Sequence, residues 1–224
     1  MKKWMLLFVM ASFIAASLSL VGCGGSKQEA VPSVKQESVA DLFAKGKNIP
    51  GMSYDFVMTG KDSNMTGAMW ISGKKMKSEM TIEKNKMMTI IDSDANVVYT
   101  YSQDQGVAFK MPINNTMKTA DTPDRFTKDV DTGKVKILET TTYEGVKCKV
   151  VLIQDGDSKA QTKMWIREDY GVPIRVEVTD LGGEKTVMEY KNLKIGAQPA
   201  NVFQLPAGVE VMDAGEMMKK ASPQ

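Results

Sequence analysis

From residue 52 to residue 194 turn signals come so often that only short strands fit between them. They are Ser72-Gly73, Lys84-Asn85, Asp92 to Asn96, Gln105-Gly106, Glu144-Gly145, Asp155-Gly156-Asp157, Tyr170-Gly171 and Gly182-Gly183. Such spacing leaves no room for crossover helices and favours an antiparallel meander. The expected strands are 52–60, 65–72, 74–83, 86–92, 97–102, 106–111, 134–142, 145–154, 159–168, 173–181 and 184–194. Alternation is clearest in two of them. Val146, Cys148, Val150 and Leu152 share one face against Lys147 and Lys149, and Ile174, Val176 and Val178 alternate with Arg175 and Glu177. A sheet with one wet and one dry face follows, and Cys148 reads as a small core residue.

Three short helices flank or interrupt this sheet. Ser38 caps the first, with Asp41 three residues on, Val39, Leu42 and Phe43 on one face and Gly46 as the stop. The second runs over 123–130, with Thr122 as cap, Pro123 at the first position, and Phe126 and Val130 one turn apart. The third follows Asp213, with Glu216 in its first turn and Lys219 and Lys220 near its end. The fold class is mainly β with short helices, an α+β chain of about eleven strands. Met69-Trp70-Ile71 and Met164-Trp165-Ile166 open two similar strand–turn–strand units, a weak internal repeat.

The N-terminus is an address label. Lys2 and Lys3 precede an apolar run from Trp4 to Leu20, and Leu20-Val21-Gly22-Cys23 has the form of a lipobox. Residues 1–22 are expected to be a lipoprotein signal peptide, and Cys23 to be the lipid attachment point of a membrane-anchored mature chain. Two or three acyl chains on one residue anchor durably, at roughly 0.8 kcal/mol per buried methylene. Residues 23–37 comprise that cysteine and a flexible Gly/Ser/Lys/Gln/Glu tether, whose root-mean-square span is roughly 20 Å. Residues 38–224 form one domain.

Removing the signal takes away two lysines and no acid, which leaves the mature chain formally neutral. Nucleic acid is therefore not an expected partner. Histidine is absent, so no catalytic triad or imidazole metal site exists, and with Cys23 acylated Cys148 has no disulfide partner. Asp155-Gly156-Asp157-Ser158 lacks a 12-residue calcium loop and reads as a hairpin turn. No cofactor, metal or enzymatic activity is expected.

Methionine is abundant instead: 18 residues, three of them in the signal segment. An unbranched thioether chain fixes a strand core poorly and suits either a surface that moulds around ligands of variable shape or the filling of irregular gaps in an ordinary core. Thioethers also hold Cu(I), but the sequence shows no tight Met-x-Met or Met/His cluster.

The run MWISGKKMKSEMTIEKNKMMTIIDSDANVVYTYSQDQGVAFKM carries a Trp-bearing strand (Trp70), a charged strand (Lys74 to Glu79), an apolar strand ending in Asp92, and Tyr99 with Tyr101. With MWIREDYGVPIRVEV and the later VFQLPAGVEVMD, it resembles the lipoprotein-carrier family of LolA and LolB. The resemblance implies a strongly curved, half-open antiparallel β-barrel. Its helical lid would come from 38–46, 123–130 and 213–220, over an apolar cavity for acyl chains. Carriers tend to have an arginine on the strand after the Trp strand; here Lys75 and Lys77 are the nearest basic residues.

The functional expectation is an extracytoplasmic lipoprotein on the cell membrane or outer membrane that binds lipid or lipoprotein acyl chains. The ligand-lining candidates are Met69, Trp70, Met80, Met88, Met164 and Trp165. The alternative is an envelope protein-interaction or sensor module on the same scaffold.

Overall fold

The computed structural model describes residues 37–61, 64–82, 85–114, 122–128, 130–154, 156 and 159–221. The signal segment, Cys23 and the tether up to residue 36 lie outside the described residues. Residues 37–224 form a compact unit of their own.

One twelve-stranded sheet makes up the domain. In chain order the strands are β1 (Gly51–Thr59), β2 (Asn64–Ser72), β3 (Lys75–Ile82), β4 (Asn85–Asp92), β5 (Val97–Ser102), β6 (Val107–Pro112), β7 (Val135–Tyr143), β8 (Val146–Gln154), β9 (Gln161–Arg167), β10 (Pro173–Thr179), β11 (Lys185–Ile195) and β12 (Glu210–Asp213). The spatial order is β12-β6-β5-β4-β3-β2-β1-β11-β10-β9-β8-β7, so the sheet stays open between β12 and β7. This curved, open sheet is the half-open barrel that the resemblance implied. Eleven strands fall within a few residues of expectation. The twelfth, only four residues long, pairs parallel with β6 and was not foreseen.

Two helices accompany the sheet: α1 (Val39–Gly46) and α2 (Ala214–Ala221). Ser38 caps α1 as expected, its Oγ accepting from the Asp41 amide at 3.1 Å. The helix expected over 123–130 is shorter, a single 3-10 turn from Pro123 to Phe126 whose Thr122 makes no side-chain cap bond. Phe126 and Val130 nonetheless reach the core beside α1. The C-terminal helix packs against β6, at the sheet edge. Of the three expected helices, α1 and the 3-10 segment thus cover the core, and α2 does not.

The core lies on the face that receives α1. Leu42 and Phe43 pack there against Met52, Tyr54, Met69, Val151, Met164, Ile166, Val176 and Tyr190. Two glycines make that docking close. Gly171, in the β9–β10 turn at φ +64°, lies so near α1 that a Cβ on it would sit 2.0 Å from the Leu42 carbonyl oxygen. A Cβ on Gly46 would in turn sit 3.1 Å from the Gly171 carbonyl oxygen. Lys45 adds a hydrogen bond to the Glu168 carbonyl from the helix end. On the sheet, the Lys149 ammonium donates to the Glu37 carbonyl and carboxylate at 3.3 and 3.4 Å.

The expected facing of β8 is corrected here. Val151 pairs with Met164 on the helix face and Lys149 stands beside it, while Cys148 and Val150 point to the opposite, far face. Cys148, Lys149, Val150 and Val151 are all buried, so β8 is covered on both sides and the wet/dry division fails there. Cys148 is a fully buried free thiol as read from the sequence. Burial pushes its pKa up to about 11, which keeps it protonated and unreactive.

Gly171→Ala and Gly183→Ala separate backbone strain from helix docking. Both glycines have positive φ, but nothing lies within 4 Å of a Cβ at Gly183. Each substitution should cost about 1–3 kcal/mol of conformational strain. Gly171→Ala should also displace α1 and lower the urea midpoint clearly further. Equal losses would mean that α1 docks without this contact.

Candidate hydrophobic-ligand recess

Strand register decides which side chains line the helix face. One cross-strand row runs Ile137, Val151, Met164, Val176, Met188, Met58 and Met65, over β7, β8, β9, β10, β11, β1 and β2. Its middle is solid: Val151, Met164 and Val176 are fully buried in the core with α1. Past β11 the same row opens, and Met188, Met58 and Met65 are only half-buried. They line a recess of about 220 Å³ together with Tyr54, Phe56, Met69, Ser78, Met80 and Tyr190. Ser78 is its only residue other than methionines and aromatics.

A second row explains the recess floor. Met87, Met80, Gly67 and Phe56 are successive partners across β4, β3, β2 and β1, with Tyr190 beyond on β11. A Cβ on Gly67 would lie 2.7 and 2.8 Å from the Phe56 ring and 2.4 Å from the Glu79 carbonyl oxygen. The missing side chain therefore lets the Phe56 ring lie across β2. Tyr54 and Tyr190 meet edge to face, with ring centroids 5.2 Å apart, and close the end toward the core.

The expected lining divides between the two faces. Met69 and Met80 enter the recess. Met164 faces the same side but is sealed in the solid core beneath α1. Trp70, Met88 and Trp165 lie on the far face, because each sits one residue out of phase with a helix-face residue of its strand, Met69, Met87 and Met164. Met58, Met65 and Met188 were not singled out, and the available signal was their type alone. Their adjacency needs the pairing of β1 with both β2 and β11.

On the far face the tryptophans stack with cations. Lys77 Nζ is 5.2 Å from the Trp70 ring, and Lys163 Nζ and the Arg175 guanidinium are 4.7 and 5.3 Å from Trp165. Arg175 also donates to Glu177 at 2.6 and 3.0 Å and to Glu189 at 2.7 Å. The Tyr143 hydroxyl bonds Glu189 as well and holds that carboxyl below its ordinary range. This network ties the β7–β8 hairpin to β10 and β11. Two larger, charge-mixed hollows accompany it. One of about 650 Å³ is lined by Asp55, Trp70, Glu144, Arg167 and Lys194 among others, and one of about 700 Å³ by Glu79, Lys86, Met88, Tyr101 and Pro206 among others.

No protein-family model and no curated protein matches the sequence. Solved structures do match in fold. One is an uncharacterized conserved protein from Thermus thermophilus, at a TM-score of 0.50 and 11% identity over 78% of this chain and 96% of that one. Another is MucB, a Pseudomonas aeruginosa protein, in complex with MucA(peri), at a TM-score of 0.51 and 13% identity over 79% of this chain and 63% of MucB. A LolA superfamily protein from Nitrosomonas europaea also matches, at a TM-score of 0.32 and 10% identity over 75% and 98% of the two chains. For the first two, at 11% and 13% identity, the likeness is one of fold alone, and the present chain spans less than two thirds of MucB.

Gly67→Ala should force the Phe56 ring out of place and destabilise the domain by about 1–3 kcal/mol, as overpacking does. A double-mutant cycle with Phe56→Ala should give a coupling energy of about 0.5 kcal/mol or more. Strict additivity would show that the ring does not depend on the missing Cβ.

Proposed function

We propose that this chain is a membrane-anchored extracytoplasmic lipoprotein that binds hydrophobic ligands, lipid or lipoprotein acyl chains, without catalysing a reaction. The anchor is a diacylglycerol on Cys23, which holds the chain at the cell membrane or outer membrane. The supporting observation is the methionine- and aromatic-lined recess beside α1. A sixteen-carbon chain leaving water gains roughly 12 kcal/mol gross, at about 0.8 kcal/mol per methylene, and ordering the chain offsets part of it. At about 220 Å³ the recess is smaller than the roughly 300–1,000 Å³ of drug-sized pockets. It accordingly takes the end of one chain among the half-buried methionines and leaves the remainder outside.

A second reading is an envelope protein-interaction or sensor module. It draws on the two far-face hollows, whose mixed charges suit a polar protein rim better than a lipid tail. The MucB structure in complex with MucA(peri) is a case of a protein of this fold with a protein partner.

Native mass spectrometry of residues 37–224, purified without detergent, tests the first reading. Co-purifying lipid is the expected result, together with uptake of a fluorescent fatty acid that Met58→Lys abolishes by placing a charge in the recess. An empty domain that takes up no fatty acid would leave the protein-partner reading standing alone.

A further inference from the structure

The sequence has no compact methionine motif, but the sheet builds one across strands. Met65, Met58 and Met188 are consecutive partners on β2, β1 and β11. Neighbouring strands lie about 4.8 Å apart, so these three side chains leave the same face next to one another. Met69 and Met80 line the same cavity from β2 and β3. Each side chain has three rotatable bonds ahead of or through its thioether, so all five line one cavity with side chains that can be reoriented without new strand pairing. Tyr54, Phe56 and Tyr190 supply the remaining walls. No carboxylate or thiol lines the cavity, and among the described residues no group of His, Cys, Asp and Glu is placed to hold a metal.

We propose that this cavity binds a soft monovalent cation, Cu(I), through the sulfurs of Met58, Met65 and Met188, with Met80 or Met69 completing the set. The chemistry selects the ion. Neutral thioethers bind soft Cu(I) and give hard ions such as Mg²⁺ or Ca²⁺ nothing in exchange for their water. A bare charge in an apolar cavity is costly. Here sulfur lone pairs replace the hydration shell, and the electron-rich ring faces of the aromatic walls add attraction. The Tyr190 hydroxyl lies 3.8 Å from Met188 Sδ and donates to it. It thereby occupies one lone pair, leaves the other free for the ion, and serves as a positioning residue in the proposed site. The ion would share the space with an apolar ligand, but the proposal does not rest on lipid binding. Leucine in place of methionine keeps volume and apolarity and removes only the sulfur.

The test uses the full chain in detergent carrying Cys23→Ser, which leaves the buried Cys148 as the one thiol. It is titrated with Ag(I), a redox-inert stand-in, and with Cu(I) under dithionite against a chromophoric chelator. One equivalent should bind. Met58→Leu and Met188→Leu should each weaken binding by about tenfold or more, and the triple variant with Met65→Leu should abolish it. Met164→Leu, in the solid core, and Met88→Leu, on the far face, should leave it unchanged. X-ray absorption of the Cu(I) form should show sulfur neighbours alone. Far-UV circular dichroism of each variant establishes that it is folded; should the triple variant misfold, the single variants decide. Equal Ag(I) binding by wild type and the Met58→Leu and Met188→Leu variants would overturn the proposal. So would an equal loss in Met88→Leu, or nitrogen or oxygen neighbours around the copper.

Discussion

The docking of one short helix on one half of the sheet sets the character of the whole domain. An eight-residue helix does not hold itself together in water, so α1 exists because Leu42 and Phe43 are buried against β1, β9, β10 and β11. That burial needs backbone-to-backbone approach at Gly171, which no larger residue permits. Where α1 lies, the row Val151, Met164, Val176 is sealed. Where it stops, the same row continues as Met188, Met58 and Met65 with half-open surroundings. The recess is therefore the part of the helix face that α1 leaves uncovered.

The residue types differ only in part between the two regions. Under α1 the sheet mixes the β-branched Val151, Ile166 and Val176, which fit the pleat, with Met52, Met69, Met164, Tyr54 and Tyr190. The recess is lined by flexible thioethers and aromatic rings with Ser78, and no β-branched side chain is among them. Gly67 allows Phe56 to lie flat across β2, so the floor is made by a ring instead of by branched side chains. The far face is organised by charge: Arg175 bridges Glu177 and Glu189 while stacking on Trp165. One sheet thus carries an apolar recess on one face and a charge network on the other, beside the two-sided burial of β8.

The strand pattern was legible because its turn residues are strong, and the cap at Ser38 because its chemistry is local. Facing was less legible for two physical reasons. β8 is buried on both sides, so hydrophobicity there carries no phase. Irregularities between Ser53 and Asp55, Ile137 and Glu139, and Pro173 and Arg175 also shift the alternation partway along a strand. Trp70 and Trp165 drew attention as large apolar residues, but their rings serve cation stacking on the far face. The methionine abundance was visible in the sequence, but not its distribution between solid core and recess. Only register could say which methionines meet, and β12 was too short to signal itself.

The central claim is that α1 divides the helix face into a sealed core and an adaptable apolar recess. The most direct measurement is NMR of ¹³C-methyl-methionine in the domain during titration with a fatty acid. The account predicts shifts confined to Met58, Met65, Met69, Met80 and Met188, with Met164 and Met88 unmoved. Shifts led by Met88, or none at saturating ligand, would contradict it.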